Sequence, residues 1–538
     1  MNLAKTKLWH QKNYIFFILI IVLFFIYNYN EIISLGPRSI HQWRQADGLS
    51  IARNYYAEGM HFFEPSIHWI GAKGNGKVVS EFPLIYYFVA FLWKVFGKHE
   101  FIFRIVNLLI VFFGLFYLFK LSKNIFKNTF WAMVVLLILF SSPIFVYYAN
   151  NFLVNVPAFS LVLPGWFFFY KFYKAGKNKY LYFSTFFFLI AGLLKISTTI
   201  SLVTLFGLFF LELFKITKFS KEKNIFHKPF LQIVPFLLTI FILFAWYSFA
   251  NHYSNKNNPG VFLQGILPLW KAESSTIKPI FVSLYNELLP QFLNKFTFHL
   301  ILLLFITILA SYKKVNKLLL LITISSFVAT LLYIILFFQV FDVHDYYLTD
   351  LLIFPLAVTV TFLTFLKDNY LQILNSKTFK IIISFFLVSN IYYCAVNTRI
   401  KYNPTDTLVK KSFIIDQKHL DLWNWIHWNY SNTFEACETV TPYLRSLGIQ
   451  RSDKVISIPD QSTNITLYLM DQKGFTDFGY GGLDGEDRIK KFISLGAKYL
   501  IINDRSLLDK DYLKPYLEKK IGEYKNILIY NLSGQIKQ

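Results

Sequence analysis

Charge is the first thing this sequence is short of. Asp, Glu, Lys and Arg make up 16% of its 538 residues, where a soluble domain carries about 25%. Acids are scarcer than bases, 31 against 54, for a net charge of +23. Cysteine is nearly absent: Cys394 lies in an apolar stretch and Cys437 in a polar one. That excludes a disulfide framework and a cysteine-based metal site. No strand-to-helix glycine fingerprint for phosphate is found. "GYGGLDGED" (479–487) is Gly-rich but lacks such flanks, and reads as a loop. No long internal repeat is visible, which excludes a solenoid or a propeller.

Apolar residues are abundant, at 55% with a mean hydropathy of +0.43. They gather into runs near 14–29, 101–121, 129–149, 152–173, 180–194, 197–215, 229–250, 296–311, 317–340, 348–366 and 379–396. Runs of this length and purity are membrane-spanning candidates, so the chain reads as a polytopic α-helical membrane protein with about 11–13 transmembrane helices. The start, "MNLAKTKLWHQKN", is basic and is followed by "YIFFILIIVLFFIYNYN". That apolar core is long and no small-residue cleavage site follows it, so a retained first helix with a cytoplasmic N-terminus is expected.

The excess of lysine has an address. Basic residues crowd the short loops 119–128, 171–179, 215–223, 312–317 and 367–380. The positive-inside rule makes these cytoplasmic, and the net charge then needs no nucleic acid to explain it. The alternating loops fall outside: 30–100, 150–151, around Lys195, 251–295, 341–347, and everything after 397. "FPLIYYFVAFLWKVFG" (82–97) is apolar, but as a helix it spans only about 24 Å of a ~30 Å hydrocarbon core. Counting it as a crossing would put the basic loop 119–128 outside. It is expected to lie along the outer membrane face, with a second such helix at 40–58, in a structured first external loop.

Residues 1–396 are therefore read as the membrane domain and 397–538 as an extracytoplasmic domain. The latter has more Asp, Glu, Gly and Pro. "KVISIPD" (454–460), "AKYLIIND" (497–504) and "NILIYNL" (526–532) read as buried strands. "GEDRIKKFISLG" (485–496) and "LLDKDYLKPYLEKKIG" (507–522) read as helices, giving a small α/β domain.

Four polar stretches stand out, all on the expected outer side. The first is "HQWRQADGLSIARNYYAEG" (41–59), which holds Asp47 and three candidate substrate or phosphate ligands, His41, Arg44 and Arg53. Ser39 and Gln42 make a capping-box pattern and Gly59 a stop. Trp43, Asp47, Ser50 and Asn54 share one helical face. Asp47 is either a general base for a hydroxyl or a solvated acid paired with Arg44 or Arg53. The second is "GKVVSEFPLIYY" (76–87), where Pro83 suits a first helical turn. Its Glu81 either caps that helix or positions a substrate hydroxyl or a divalent metal. The third is Lys195, which marks a site or snorkels to lipid phosphate. The fourth is "FQVFDVHDYYLTDLLIFPLA" (338–357), where His344, Asp345, Tyr346 and Tyr347 suit a phosphate or a sugar. A metal there would need a partner from elsewhere, and whether His41 or His99 meets His344 is open. Four polar clusters on one face of an apolar bundle point to a substrate site at the membrane surface.

"HQWRQADGLSIARNYYAEG", "FFEPSIHW", "EFPLIYYFVAFLWKVFGKHEFIFR" and "HDYYLTDLLIFPLA" resemble the C-type (GT-C) glycosyltransferases. The likeness is to the bacterial branch similar to dolichyl-phosphate-mannose protein mannosyltransferases and lipid A aminoarabinose transferases, and it covers about residues 10–400. It implies transfer of a sugar from a polyprenyl-phosphate carrier to an envelope acceptor (glycan, lipid A or protein) outside the inner membrane. It also implies Asp47 as general base and Glu81 as the acid opening the second loop helix. In the aminoarabinose branch a Lys follows that acid and touches the donor phosphate. Phe82 stands there here, so Arg44, Arg104, Lys195 or His344 is left to meet the phosphate. Asn155 stands where many relatives have an acid. Inverting attack follows from in-line displacement at the anomeric carbon. A flippase for lipid-linked sugars and a ligase using a pyrophosphate donor are the alternatives. The first would carry inverted repeats and broken mid-membrane helices, neither of which is visible.

Overall fold

The computed structural model describes residues 13–71, 73–219, 224–479 and 485–533. The basic stretch before residue 13 and most of the loop 479–487 lie outside them. Each of the eleven apolar runs is helical. Among the described residues six helices are long and apolar enough to cross a membrane: Glu100–Phe126, Ile196–Leu213, Pro229–Asn257, Lys317–Leu336, Asp345–Asn369 and Lys377–Tyr402. Two bent pairs, Thr129–Leu139 with Pro143–Ala149 (81°) and Ser274–Phe292 with Lys295–Ala310 (92°), bring the number up to 8. Tyr14–Ile26 and Asn178–Leu194 are shorter, and Asn155–Ala175 completes the set. The chain is a multi-pass membrane protein. The run 129–149 is not one straight span. Asn128 caps its first half, and Pro143 opens the second after a turn, because proline cannot continue the helical hydrogen-bond ladder.

The described residues of the basic loops collect at one end of the bundle. Tyr170 Oη donates to Asn124 O (3.2 Å), Lys367 Nζ to Ile125 O (2.7 Å), Asn369 Nδ2 to Lys314 O (3.2 Å), and Gln232 Nε2 to Asn178 Oδ1 (2.7 Å). At the opposite end Arg104 Nε donates to Leu35 O (3.0 Å) and Arg399 Nε to Ile26 O (2.9 Å). The helices thus run alternately between a basic end and a second end, which carries the polar clusters.

Two helices of the first loop lie at that second end. The helix Gln42–Glu58 ends at Gly59, whose φ of +110° only glycine adopts readily. The expected capping box does not form. Ser39 and His41 are both in left-handed conformation, at φ +70° and +52°. His41 takes the N-cap position, and the Gln42 amide turns back to donate to Pro37 O (3.0 Å). Gly48 lets this helix close on its neighbours: a β-carbon there would sit 3.2 Å from Phe152 O and 3.0 Å from the Tyr86 ring. The helix Leu84–Phe96 has 13 residues, about 20 Å, too short for a perpendicular crossing. It buries Ile85, Tyr86, Val89 and Trp93 and exposes Leu84, Phe88, Phe91 and Val95. Pro83 stands at its N-cap.

The tail builds a five-stranded sheet: β1 (Val455–Ile458), β2 (Gly474–Phe475), β3 (Tyr499–Ile502), β4 (Lys520–Tyr524) and β5 (Ile527–Asn531), in the order β2-β1-β3-β5-β4. β1 is parallel to β2 and β3, while β5 is antiparallel to β3 and β4. The expected strands are β1, β3 and β5, and Gly485–Ser494 is the expected helix between them. The stretch 507–522 is not an α-helix. It holds 3-10 turns (Arg505–Asp509 and Asp511–Tyr516) and then β4. Pro515 lacks the amide that an α-helix would need there, and pairing with β5 satisfies the backbone beyond it.

The tail grips the first loop. Backbone hydrogen bonds join Ile70 N to Gly474 O (3.0 Å) and Gly474 N to His68 O (3.2 Å). Arg53 makes a forked pair with Asp471 (3.0 and 2.6 Å), and Arg451 bridges Asp471 and Glu58 (3.0 and 2.5 Å). Forked guanidinium–carboxylate geometry fixes orientation as well as distance.

Candidate active site

A cavity of about 1000 Å³ opens at this junction. Its polar wall includes Trp43, Arg44, Asp47, Glu81, Lys195, His344, Tyr346 and Tyr347, with Thr463 from the tail. Its apolar wall includes Val203, Ile240 and Phe244 from two bundle helices, all three well exposed. One site thus joins a charged pocket to an apolar flank.

Asp47 is 5% exposed. Thr463 Oγ1 and Asn464 Nδ2 each donate to its Oδ1 at 2.6 Å, and Arg44 Nη1 stands 3.6 Å from its Oδ2. Burial pushes the Asp47 carboxyl up, against the pull of Arg44 and of the two tail donors. Glu81 takes Arg44 Nη2 on both oxygens (2.7 and 2.9 Å) and accepts from Tyr86 Oη (2.8 Å). Burial opposes its ionisation, yet Arg44 and then Lys195 hold its carboxyl down at about 2. The two acids share one arginine and are driven in opposite directions. Two carboxyls whose surroundings diverge in this way can take different tasks, one accepting a proton and one holding a fixed charge.

Lys195 Nζ lies over the rings of Tyr347 (4.6 Å) and Tyr346 (5.8 Å). His41 and His344 do meet: their rings are 5.4 Å apart, and His41 Nε2 stands 3.1 Å from Asp345 Oδ1. Asp345 also accepts from Tyr148 Oη (2.5 Å), which places it behind His41 and outside the cavity lining. Burial, then the nearby His41 and Arg44, push His344 down to about 4. These surroundings disfavour its imidazolium form. His99 stacks on Phe101 instead. Asn155 Nδ2 donates to Tyr346 O (3.4 Å), a supporting contact.

Two expected phosphate ligands lie elsewhere. Arg104 is 0% exposed; it donates to the carbonyls of Leu35, Gly36 and Asn150 and covers the Phe152 ring. A guanidinium spent on three carbonyls ties chain segments together and does not reach the cavity. Arg53 is engaged with Asp471, away from the lining. Phe82 packs on Phe62 (5.1 Å) and Trp246 (4.8 Å), and the cations that line the cavity are Arg44 and Lys195. As for a divalent metal at Glu81, among the described residues no group of three or more His, Cys, Asp or Glu side chains is placed to hold one.

Thr463, Asn464 and the cavity-lining Phe478 are absent from any reading of the sequence. Thr463 and Asp47 are 416 positions apart, and the polar run "DQSTNIT" has no local pattern that names a partner. Its only signal is its place between strand β1 and a short helix, Ile465–Leu469.

Residues 80–248 match the family model described as dolichyl-phosphate-mannose-protein mannosyltransferase. No curated protein matches the sequence. Among solved structures the chain is similar to ArnT from Cupriavidus metallidurans in the apo state, at 10% identity and a TM-score of 0.55 over 98% of each chain. It is similar to the same protein bound to undecaprenyl phosphate, at 10% identity and a TM-score of 0.58 over 96% of this chain and 98% of that one. The arabinofuranosyltransferase AftD from Mycobacteria follows at 9% identity and a TM-score of 0.50, over 96% of this chain and 40% of that one. The fold is that of the C-type glycosyltransferases, in its ArnT-like form. The segment matched by the family model carries Glu81 and Lys195.

Proposed function

We propose that this protein moves a sugar from a polyprenyl-phosphate carrier to a hydroxyl of an envelope acceptor (a glycan, lipid A or a protein), with inversion at the anomeric carbon. The observation that carries this is the cavity itself. A buried carboxylate and two cations share a pocket whose other wall is apolar and is built by bundle helices. A lipid-linked phosphate sugar has the matching parts: an apolar tail, an anion and a carbohydrate. The ArnT structure that holds undecaprenyl phosphate supports the same carrier class.

Lys195 and Arg44 meet the phosphate, and their charge stabilises it as it leaves. The acceptor hydroxyl enters beside Asp47. Its proton passes to Asp47 Oδ2 while its oxygen bonds to the anomeric carbon, and the carbon–oxygen bond to phosphate breaks with the electron pair leaving on phosphate. Glu81 keeps Arg44 in place as a positioning residue. His41, Asp345 and Tyr148 brace the ring of groups around His344, while Tyr346 and Tyr347 offer aromatic faces to Lys195 and the sugar. Residues 1–396 form the transferase domain and 397–538 a domain that closes its site. The protein is placed in a bacterial inner membrane with its N-terminus in the cytoplasm and its cavity and tail outside, an orientation that the gathering of basic loops at the far end supports.

The test is transfer in proteoliposomes with radiolabelled polyprenyl-phosphate sugars. Release of sugar from the lipid by the wild type supports the reading; label that crosses the bilayer still attached to lipid opposes it.

A further inference from the structure

The tail does more than cover the pocket. We propose that Thr463 and Asn464 are positioning residues of the transfer reaction, a clamp from the C-terminal domain that fixes the Asp47 carboxylate with Oδ2 turned to the acceptor. This rests on Asp47 being the base of the proposed transferase.

Both donors meet the same oxygen, Oδ1, at 2.6 Å. The carboxylate cannot rotate about its bond to the β-carbon without losing both. Oδ2 is left to Arg44 at 3.6 Å and to the cavity. The clamp is itself held. Asn464 Oδ1 accepts from His68 N (3.0 Å) and Trp69 N (3.1 Å), so its amide has one orientation and its Nδ2 must point at Asp47. Buried Asp460 accepts from the amide and hydroxyl of Ser462 (2.9 and 2.6 Å) and of Thr466 (2.8 and 2.7 Å), which pins the turn that presents residues 463 and 464. Every element of this chain lies in the tail or the first loop, and none is forced by the membrane bundle.

Hydrogen bonds to the ionised form favour it, so the clamp holds the proton affinity of Asp47 below what burial alone would give. The charged and titratable groups around Asp47 are Arg44 on its own helix and Glu81 and Tyr86 on the second stretch, with Lys195 and His344 on other elements lining the cavity. The tail contributes only neutral donors, so its effect is separable by substitution.

The experiment uses the full chain in nanodiscs. A hydrophobic carbodiimide labels protonated carboxyls, and mass spectrometry follows labelling of Asp47 against pH. Thr463→Val keeps the shape and loses the donor. Its labelling midpoint is expected to rise by about one to two pH units, and Thr463→Ser restores the wild-type midpoint. Asn464→Asp keeps the acceptor for His68 N and Trp69 N but sets a second acid against Asp47, and raises the midpoint too. It gives the same readout if the valine variant fails to fold. The acid limb of sugar release should move with the label. An unmoved or lowered midpoint in the folded variants overturns the clamp. Moved midpoints in a wild type that releases no sugar keep the clamp and sink the transferase reading. Active wild type with unmoved midpoints does the reverse.

Discussion

Glu81→Gln separates the two acids. In the wild type Glu81 takes Arg44 on both oxygens at 2.7 and 2.9 Å, while Asp47 stands 3.6 Å from the same guanidinium. The amide removes the negative charge and leaves Arg44 one carboxylate to neutralise. Unit charges about 4 Å apart attract by about 4 kcal/mol at an effective dielectric of about 20. If a third of that passes to Asp47, its pKa falls by roughly one unit. Losing the like charge of Glu81 acts in the same direction. The acid limb of kcat/KM, set by ionisation of Asp47, should therefore move down by about one pH unit. The plateau should fall about tenfold, because a weaker base and a displaced Arg44 both slow transfer. The assay is initial-rate sugar release from about pH 4 to 9. An acid limb that stays or moves up, with a plateau lost more than about a thousandfold, would make Glu81 the base and refute the division of roles.

Other outcomes follow from the same geometry. Asp47→Asn should abolish transfer by about a hundredfold or more without costing stability. The raised Asp47 pKa makes its ionised form less stable in the fold than in the unfolded chain, so it weighs against folding above the folded pKa and not below the unfolded one. The variant should melt at or above the wild-type temperature at pH 7, the gap closing as pH falls through the Asp47 pKa. A lower melting temperature at pH 7 would count against this. Lys195→Met should raise KM for the lipid-phosphate donor about tenfold and leave the acceptor KM alone; equal changes in both would remove Lys195 from the phosphate. Arg104→Met should cost about 3 kcal/mol or more, since three carbonyls lose a buried charged donor. Its donor KM should hold, and a raised donor KM at full stability would return the phosphate to Arg104.

Much of the bundle was legible because the membrane imposes a strict period and length on apolar runs, and all eleven became helix. The basic loops marked one end for the same reason. The bend at Pro143 and the tail's Pro515 show the limit. Both prolines stand in the sequence, but whether a proline starts, kinks or ends a helix depends on what can satisfy the backbone beyond it. Asp47, Glu81, Lys195 and His344 were singled out because polar groups are costly beside lipid. Arg104 met the same criterion and serves structure, since burial alone does not say whether a cation faces a pocket or a carbonyl. Ser39 and Gln42 matched a capping pattern that left-handed residues on either side of Ile40 prevent. Thr463 and Asn464 were beyond reach, because small neutral side chains acquire meaning only from a partner four hundred positions away.

We propose Asp47 as the proton acceptor of a polyprenyl-phosphate-dependent transfer. Its most direct test sets purified wild type and Asp47→Asn side by side in liposomes with a panel of radiolabelled polyprenyl-phosphate sugars. Release of one sugar by the wild type, and none by an equally folded variant, is the predicted result. Release by both at similar rates would contradict it.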